Sequence, residues 1–202
     1  MLLLDFISTF IFALTGARVL LLKDYRFYAV ALAAVCTAVG GGTVRDLFIA
    51  DDAIFWMENW LYPSVALLAV PLAYRCSVVG RNVVSAIRIL DSVGVAVFLV
   101  IGVNVAMAAG CSLATVVLAS VLTGIGGGVI RDIVCQRRLV VPGKGILFIA
   151  TASNALLATL LIGSGISEFV VISICALWQV IVMEGLPDGP FGLPVSRDNN
   201  ND

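Results

Sequence analysis

The sequence GGGTVRD at residues 40–46 recurs as GGGVIRD at residues 126–132, 86 positions further along the chain. The same offset, without a gap, places Asp5 on Asp91, and residues 1–50 contain 15 identities at this offset. Shared apolar composition would not align an Asp, an Arg and three successive Gly. The chain therefore contains an internal repeat, and the fold has to accommodate two copies of one unit.

The composition is that of a membrane protein. Of the 202 residues, 61% are hydrophobic and only 12% are charged, about half the ~25% of a soluble domain. The mean hydropathy is +1.10. So few charges cannot cover the surface of a soluble enzyme, and disorder requires low hydrophobicity. We expect an all-α polytopic protein of the cell (inner) membrane, in contact with lipids.

The residue types exclude most enzyme classes. The chain has no His and five scattered Cys, so it contains no His-based triad and no pattern typical of a metal site. We expect no enzymatic activity, no metal and no cofactor apart from permeant K⁺ or Na⁺. The net charge of −1 argues against nucleic acid as a partner. The N-terminus lacks the basic region of a cleaved signal peptide.

Apolar runs predict seven transmembrane helices, since a helix needs about 20 residues to cross the hydrocarbon core. β-Barrel strands would be about half as long and would alternate in polarity. The residues from 185 to 202 are polar and rich in Pro and Gly, and we expect a disordered cytoplasmic tail. The predicted spans are 2–22, 27–50, 60–79, 88–109, 112–135, 145–163 and 166–184.

Loop charges predict the orientation. The loops on the N-terminal side of the membrane contain no basic residue, whereas nine basic residues lie on the other side. By the positive-inside rule the N-terminus is outside and the C-terminus is cytoplasmic. The nine are Lys23, Arg26, Arg75, Arg81, Arg88, Arg137, Arg138, Lys144 and Arg197.

The repeat divides the chain into a first three-helix unit (1–85), a second (86–165), a seventh helix (166–184) and the tail (185–202). Three spans are an odd number, so the two units are expected to lie in the membrane with opposite orientations. Inverted repeats are common in transporters and channels, which place the permeant's path at the repeat interface.

Glycine triplets inside membrane helices have three uses. They loosen a helix, they let another helix approach closely, and they expose backbone carbonyls to a water-filled path. Close packing alone is the simpler alternative. Two triplets at equivalent positions favour kinked helices that line a path, with one Thr a turn before each. The predicted pore and kink residues are Gly40, Gly41, Gly42, Gly126, Gly127, Gly128, Thr37 and Thr123.

Charged residues near the ends of the spans predict a cluster at each pore mouth. Membrane depth permits the pairs Asp5–Arg45 and Asp91–Arg131, because unpaired charges are rare in the bilayer. Asp46 and Asp132 are expected to complete the two clusters. The alternative is that these side chains snorkel to water.

Two further features lie near the membrane boundaries. Arg18 is either a charge on the cytoplasmic side of the path or a snorkelling Arg at the end of the first span. Trp56, Trp60 and Tyr62 are placed as in an aromatic belt at the outer boundary.

The doubled Gly-Gly-Gly-x-x-Arg-Asp motif, in a three-plus-three-plus-one arrangement, resembles the trimeric intracellular cation (TRIC) channel family, most closely its prokaryotic members. The resemblance covers residues 1 to about 184. It implies a homotrimer, one pore per protomer, K⁺-preferring monovalent cation conduction, and pore helices two and five kinked at the glycines. Animal members have a lysine-containing motif after the glycines of the second span, where this chain has Arg45, so their regulation is not implied.

Two functions therefore stand as hypotheses. The first is a passive cation channel, and the absence of a T-V-G-Y-G-like run suggests modest selectivity. The second is a secondary transporter for glycine or a similar small zwitterion, because the same bacterial sequence family is also labelled glycine transporter. Helix ends at the triplets would then bind the carboxylate and the ammonium group.

Overall fold

The computed structural model describes residues 2–21, 25–49, 53–76, 81–135 and 141–184, and the predicted tail lies outside them. All regular structure in these ranges is helical. The eight helices, in chain order, are α1 (Leu2–Leu21), α2 (Phe27–Ile49), α3 (Phe55–Glu58), α4 (Leu61–Cys76), α5 (Arg81–Ala108), α6 (Leu113–Val134), α7 (Val141–Gly163) and α8 (Glu168–Glu184).

Seven of these helices correspond to the predicted spans, and α3 was not predicted. In the described residues, four apolar stretches of at least 18 residues are long enough to cross a membrane: α1, α2, residues 89–108 of α5, and α6. Residues 148–163 of α7 and 168–182 of α8 form shorter apolar helices. The protein is thus an all-helical membrane protein with several spans.

Glycines end two helices and set the short connections that follow. Gly110 after α5 has φ +69° and Gly165 after α7 has φ +78°, a left-handed conformation that costs glycine nothing. After α5, the amides of Gly110 and Cys111 donate back to Met107 and Ala106. The same pattern follows α7, so both helices end in a Schellman motif that satisfies their last carbonyls.

The interior consists mainly of small side chains. Two apolar clusters contain many Ala and Val residues, with Phe12 and Leu99 as the large, fully buried members. Small residues let helices approach closely, which provides packing energy in a membrane where hydrophobic burial does not. The principal helix neighbours are α2 with α6, α1 with α2, α5 with α6, and α1 with α4. α2 and α6, which carry the two glycine triplets, therefore lie together in the centre.

Candidate functional site

The helices α2 and α6 cross backbone to backbone at their glycines. A Cβ added at Gly41 would overlap the carbonyl oxygen of Thr123, and one added at Gly127 would overlap the carbonyl oxygen of Thr37. A Cβ at Gly126 would lie 3.1 Å from the Cα of Gly41. Only glycine fits these positions unless a backbone moves. The contact is reciprocal, since each triplet meets the equivalent Thr of the other repeat.

The pairing also shows the relative direction of the two helices. Gly41 meets Thr123, whereas Thr37, one turn earlier on α2, meets Gly127, one turn later on α6. Contacts that advance along one helix and retreat along the other mean that α2 and α6 are antiparallel at the crossing. The Arg-Asp pairs that follow the two triplets consequently lie at opposite ends of it.

The first helix of each repeat packs against the same threonines. A Cβ at Gly16 of α1 would overlap the hydroxyl of Thr37, and a Cβ at Gly102 of α5 would lie 2.7 Å from the hydroxyl of Thr123. Both hydroxyls donate to their own helices, Thr37 to the Ala33 carbonyl at 2.6 Å and Thr123 to the Ala119 carbonyl at 2.7 Å. Both threonines are buried.

Gly40 and Gly42, the outer glycines of the first triplet, pack against side chains of other helices. A Cβ at Gly40 would lie 2.5 Å from Ile130, and one at Gly42 would lie 2.5 Å from the Phe55 ring. Gly128 is buried. Both α2 and α6 continue as α-helix through their triplets. Close packing at the crossing is thus a structural fact, and the role of these residues in a pore stays a prediction.

At the C-terminal end of α2, Arg45 and Asp46 form a buried ion pair. The Arg45 Nη2 lies 2.6 Å from the Asp46 Oδ1, and its Nε donates to the same oxygen at 2.7 Å. The other oxygen of Asp46 accepts from the Phe55 amide at 3.0 Å. The guanidinium lies over the Phe55 ring, 5.6 Å from its centroid. Asp46 thereby connects Arg45 to the start of α3.

Asp5 has a different partner from the expected one. Its Oδ2 accepts a 2.5 Å hydrogen bond from the hydroxyl of Tyr62 on α4, and the described residues contain no ion pair between Asp5 and Arg45. The ion-pair partner of Arg45 is its neighbour Asp46. Sequence reasoning missed Tyr62 because it assigned this residue to an aromatic belt.

Two of the three residues predicted to form an aromatic belt make side-chain hydrogen bonds within the protomer. Tyr62 is 6% exposed and packs between Phe6 and Phe55, with ring centroids 4.8 and 4.7 Å away. The Trp56 indole donates to the Thr43 hydroxyl at 2.9 Å. Trp60, which is 71% exposed, is the member of the three that faces outward. Tyr62 is thus buried inside the protomer and does not face lipid, whereas Trp56 is half-buried and its place in a belt stays a prediction.

At the C-terminal end of α6, Arg131 lies beside two carboxylates. Its Nε is 3.2 Å from the Asp132 Oδ1, and its Nη1 is 3.9 Å from the Asp91 Oδ2. The Thr15 hydroxyl of α1 donates to the other oxygen of Asp91 at 3.2 Å. All three charged residues are at least 95% buried. This cluster joins α1, α5 and α6, and it brings Asp91 and Arg131 together as membrane depth permitted.

Arg18 is inside the protomer. It is 4% exposed, and its Nε and Nη1 have no hydrogen-bond partner among the described residues. All residues from 15 to 20 of α1 are buried. The snorkelling alternative therefore does not describe Arg18 in this protomer.

The last helix, α8, is attached through polar groups that sequence reasoning did not single out. Asn104 of α5 donates to the Glu168 carboxylate at 3.0 Å. The Asn154 amide of α7 donates to the Cys175 carbonyl at 3.1 Å and to Gln179 at 3.3 Å. Inter-helical amide hydrogen bonds are common in membranes. Within the described ranges, no three Cys, Asp or Glu side chains are placed to hold a metal ion.

The fold is similar to that of solved cation channels. The TRIC trimeric intracellular cation channel orthologue from Rhodobacter sphaeroides matches with a TM-score of 0.81 and 25% identity, over 92% of this chain and 98% of that one. A prokaryotic TRIC channel solved in 0.5 M KCl matches in fold with a TM-score of 0.80 and 22% identity, over 90% of this chain and 94% of that one. The class is that of multi-pass helical membrane proteins with the TRIC fold.

Sequence comparison identifies the family. The sequence model described as Glycine transporter matches residues 2–77 and again residues 88–163. The chain belongs to this family. The two matched segments begin 86 residues apart, which is the offset of the internal repeat.

Curated relatives are named as membrane proteins and not as enzymes. The UPF0126 inner membrane protein YadS of Escherichia coli K12 is 37% identical over 136 residues, which are 66% of this chain and 65% of YadS. The alignment thus spans slightly less than two thirds of that relative. The UPF0126 membrane protein YvgT of Bacillus subtilis 168 is 29% identical over 196 residues, or 95% of this chain and 97% of YvgT.

Proposed function

We propose that this protein is a K⁺-preferring monovalent cation channel that assembles as a homotrimer with one pore per protomer. The pore runs along α2 and α6, the second and fifth spans. Seven spans form two inverted three-helix repeats, and α8 is the additional helix. The observation that carries the proposal is the similarity in fold to the Rhodobacter sphaeroides TRIC cation channel, which extends over 92% of this chain.

The geometry of the crossing supports the same conclusion. α2 and α6 are antiparallel where they touch, as helices from inverted repeats would be. Buried charges follow each triplet, so Arg45–Asp46 and Arg131–Asp132 lie at opposite ends of the crossing. Buried ionisable groups in membrane helices commonly mark ion pathways. A path that runs along α2 and α6 from one side of the membrane to the other would pass both clusters.

The test is planar-bilayer recording of the purified protein in asymmetric KCl. We expect unitary current steps that reverse near the K⁺ equilibrium potential. Gly41→Leu and Gly127→Leu should abolish the steps, because a side chain at either position overlaps the opposing backbone. A reversal near the Cl⁻ potential would contradict cation selectivity. Native mass spectrometry of the same preparation should show three copies of the chain.

A glycine carrier is the second candidate, and the description of the family favours it. This function predicts saturable glycine uptake into liposomes together with a silent bilayer. A carrier also requires an occluded site for a carboxylate and an ammonium group. Both measurements should use the same preparation of protein. Saturable glycine uptake into liposomes without unitary currents in the bilayer would contradict the channel proposal and support the carrier.

A further inference from the structure

Aromatic and basic side chains form a patch where α2 begins and α4 ends. Its six members are all exposed: Tyr25, Arg26, Phe27, Tyr28, Tyr74 and Arg75. The rings of Phe27 and Tyr74 stack, with centroids 6.2 Å apart and 26° between their planes. Each of these rings has an arginine as its neighbour in the chain. The stack therefore joins the two helix ends into one surface, which we call the aromatic–basic patch.

The aromatic–basic patch adjoins a surface of exposed aliphatic side chains. Leu32 on α2 and Leu68 and Leu72 on α4 are exposed residues of the type that faces lipid tails. Within about one turn of helix from Leu32 and Leu72, the patch begins. Aromatic rings together with arginines suit the headgroup layer, which is apolar on one side and wet on the other. By the positive-inside rule this end of the bundle is cytoplasmic, so the patch is expected at the cytoplasmic headgroup layer.

The second repeat has no counterpart of this patch in its sequence. At the offset of 86 residues, none of the residues equivalent to the six members is aromatic or charged: they are Cys111, Ser112, Leu113, Ala114, Leu160 and Leu161. The helices α6 and α7 nevertheless form at these positions. The aromatic and basic side chains are therefore not needed to build the helices, and binding explains them better. In the proposed inverted arrangement, the equivalent positions lie on the outer side, so the patch is specific to one face of the membrane.

The charge of the patch requires an anionic partner. Among the acidic residues whose side chains the structure describes, those that are not buried are Asp5, Glu58 and Glu168. All three lie on the N-terminal side of the membrane, which is the outer side in the proposed orientation. The copies of a membrane trimer are parallel, so these carboxylates do not meet Arg26 and Arg75 of another protomer. Anionic lipid headgroups, in contrast, lie at the depth of the patch.

We propose that the aromatic–basic patch binds the headgroup of an anionic phospholipid of the cytoplasmic leaflet. The guanidinium groups of Arg26 and Arg75 donate hydrogen bonds to the phosphate. The exposed rings of Phe27 and Tyr28 pack against the glycerol and the upper part of the acyl chains. A basic residue near an anionic membrane surface raises the affinity about fivefold. The inference rests on the proposed orientation and does not require ion conduction.

The test is native mass spectrometry of the full chain in detergent, titrated with phosphatidylglycerol or with phosphatidylcholine of the same acyl chains. Wild type should bind phosphatidylglycerol more tightly. The double variant Arg26→Gln, Arg75→Gln should lose about fivefold in phosphatidylglycerol affinity for each charge removed, with the phosphatidylcholine affinity unchanged. Arg26→Lys with Arg75→Lys keeps both charges and should retain most of the preference. Arg197→Gln removes a positive charge outside the patch, and should leave both affinities within about twofold of wild type.

Three results would overturn the inference. The first is an unchanged phosphatidylglycerol affinity in the double Gln variant. The second is loss of the trimer in that variant with its lipid affinity retained, which would assign the patch to a second copy of the chain. The third is displacement of the lipid by an equal concentration of glycerol 3-phosphate, which would show that a soluble anion is sufficient.

The inference and the proposed channel fail separately. Lipid binding is measured without current, so a silent bilayer with wild-type protein overturns the channel and leaves the lipid site intact. Unitary K⁺ currents from protein that does not prefer phosphatidylglycerol overturn the lipid site and leave the channel intact. Equal melting temperatures of wild type and the double Gln variant without added lipid would show that the variant is folded.

Discussion

At the scale of single residues, the central glycine of each triplet, Gly41 or Gly127, cannot carry a side chain because backbone atoms of the opposing helix lie too close. An added methyl at Gly41 would meet the Thr123 carbonyl, which cannot rotate away as a side chain would. Gly42 differs, because its nearest neighbour is the edge of the Phe55 ring. The triplet is therefore not uniform, and its middle position tolerates the least.

We expect Gly41→Ala to lower the free energy of unfolding by about 1–3 kcal/mol, the usual cost of overpacking. Gly127→Ala should cost a similar amount, because its contact is the reciprocal one. Gly163→Ala is the control, since an added Cβ there meets nothing within 4 Å. Thermal melting in detergent measures all three. Equal melting temperatures for Gly41→Ala and Gly163→Ala would contradict the backbone contact.

The hydrogen bond between Tyr62 and Asp5 gives a second prediction. Tyr62→Phe removes the donor and leaves a half-buried carboxylate without it, so stability should fall by about 1–3 kcal/mol. Tyr28→Phe removes the same atom from a side chain that is 69% exposed, and should have little effect. In an Asp5→Asn background the loss caused by Tyr62→Phe should shrink. If Tyr62→Phe lowers stability by the same amount in the Asp5→Asn background, the hydrogen bond between the two side chains is not the cause of the loss.

At the scale of elements, the four-residue helix α3 is held against α2 by two hydrogen bonds. The Phe55 amide donates to Asp46, and the Trp56 indole donates to Thr43. A helix this short has no stability of its own. Its order should therefore depend on these contacts.

Trp56→Phe should accelerate amide hydrogen exchange across residues 55–58 several-fold, because the indole bond to Thr43 is lost. Exchange within α4 should stay the same. Trp60→Phe is the matched control, because Trp60 lies in the same segment and is 71% exposed. Thr43→Val should reproduce the effect of Trp56→Phe, and the double variant should add nothing. Additive effects would mean that the two side chains act separately.

Hydropathy predicted seven of the eight helices in the described residues. It failed where a helix is shorter than an apolar span or extends beyond one. α3 is too short to register as a span. α5 begins at Arg81, seven residues before the predicted 88, because a helix continues into polar sequence beyond its apolar part.

The repeat located the candidate site but did not give all of its partners. It singled out the two glycine triplets and the Arg-Asp pair that follows each of them. It also predicted that each aspartate of the first helix would pair with the arginine of its own repeat. Asp91 lies beside Arg131, but Asp5 bonds to Tyr62. The reason is that Tyr62 corresponds to Phe148, which has no hydroxyl. The two copies differ where a single side chain supplies the donor.

At the scale of the whole molecule, the distribution of basic residues predicts the orientation. Nine lie in the segments on the C-terminal side, and the opposite loops carry none. A C-terminal green fluorescent protein fusion should fluoresce in bacterial cells, and a C-terminal alkaline phosphatase fusion should be inactive. Fusions at position 51 should behave in the opposite way. Active phosphatase at the C-terminus would reverse the assigned topology.

The reciprocal crossing of α2 and α6 has the form of an isologous interface, the kind that relates the two subunits of a symmetric dimer. In each half, the central glycine of the triplet packs against the carbonyl of the equivalent threonine in the other half. Two separate half-length chains would meet through this surface in the same way. Covalent linkage keeps the halves at high effective concentration. The self-complementary crossing therefore joins the two repeats. The repeats differ in that Tyr62 bonds to Asp5 in the first, whereas α8 packs against the second.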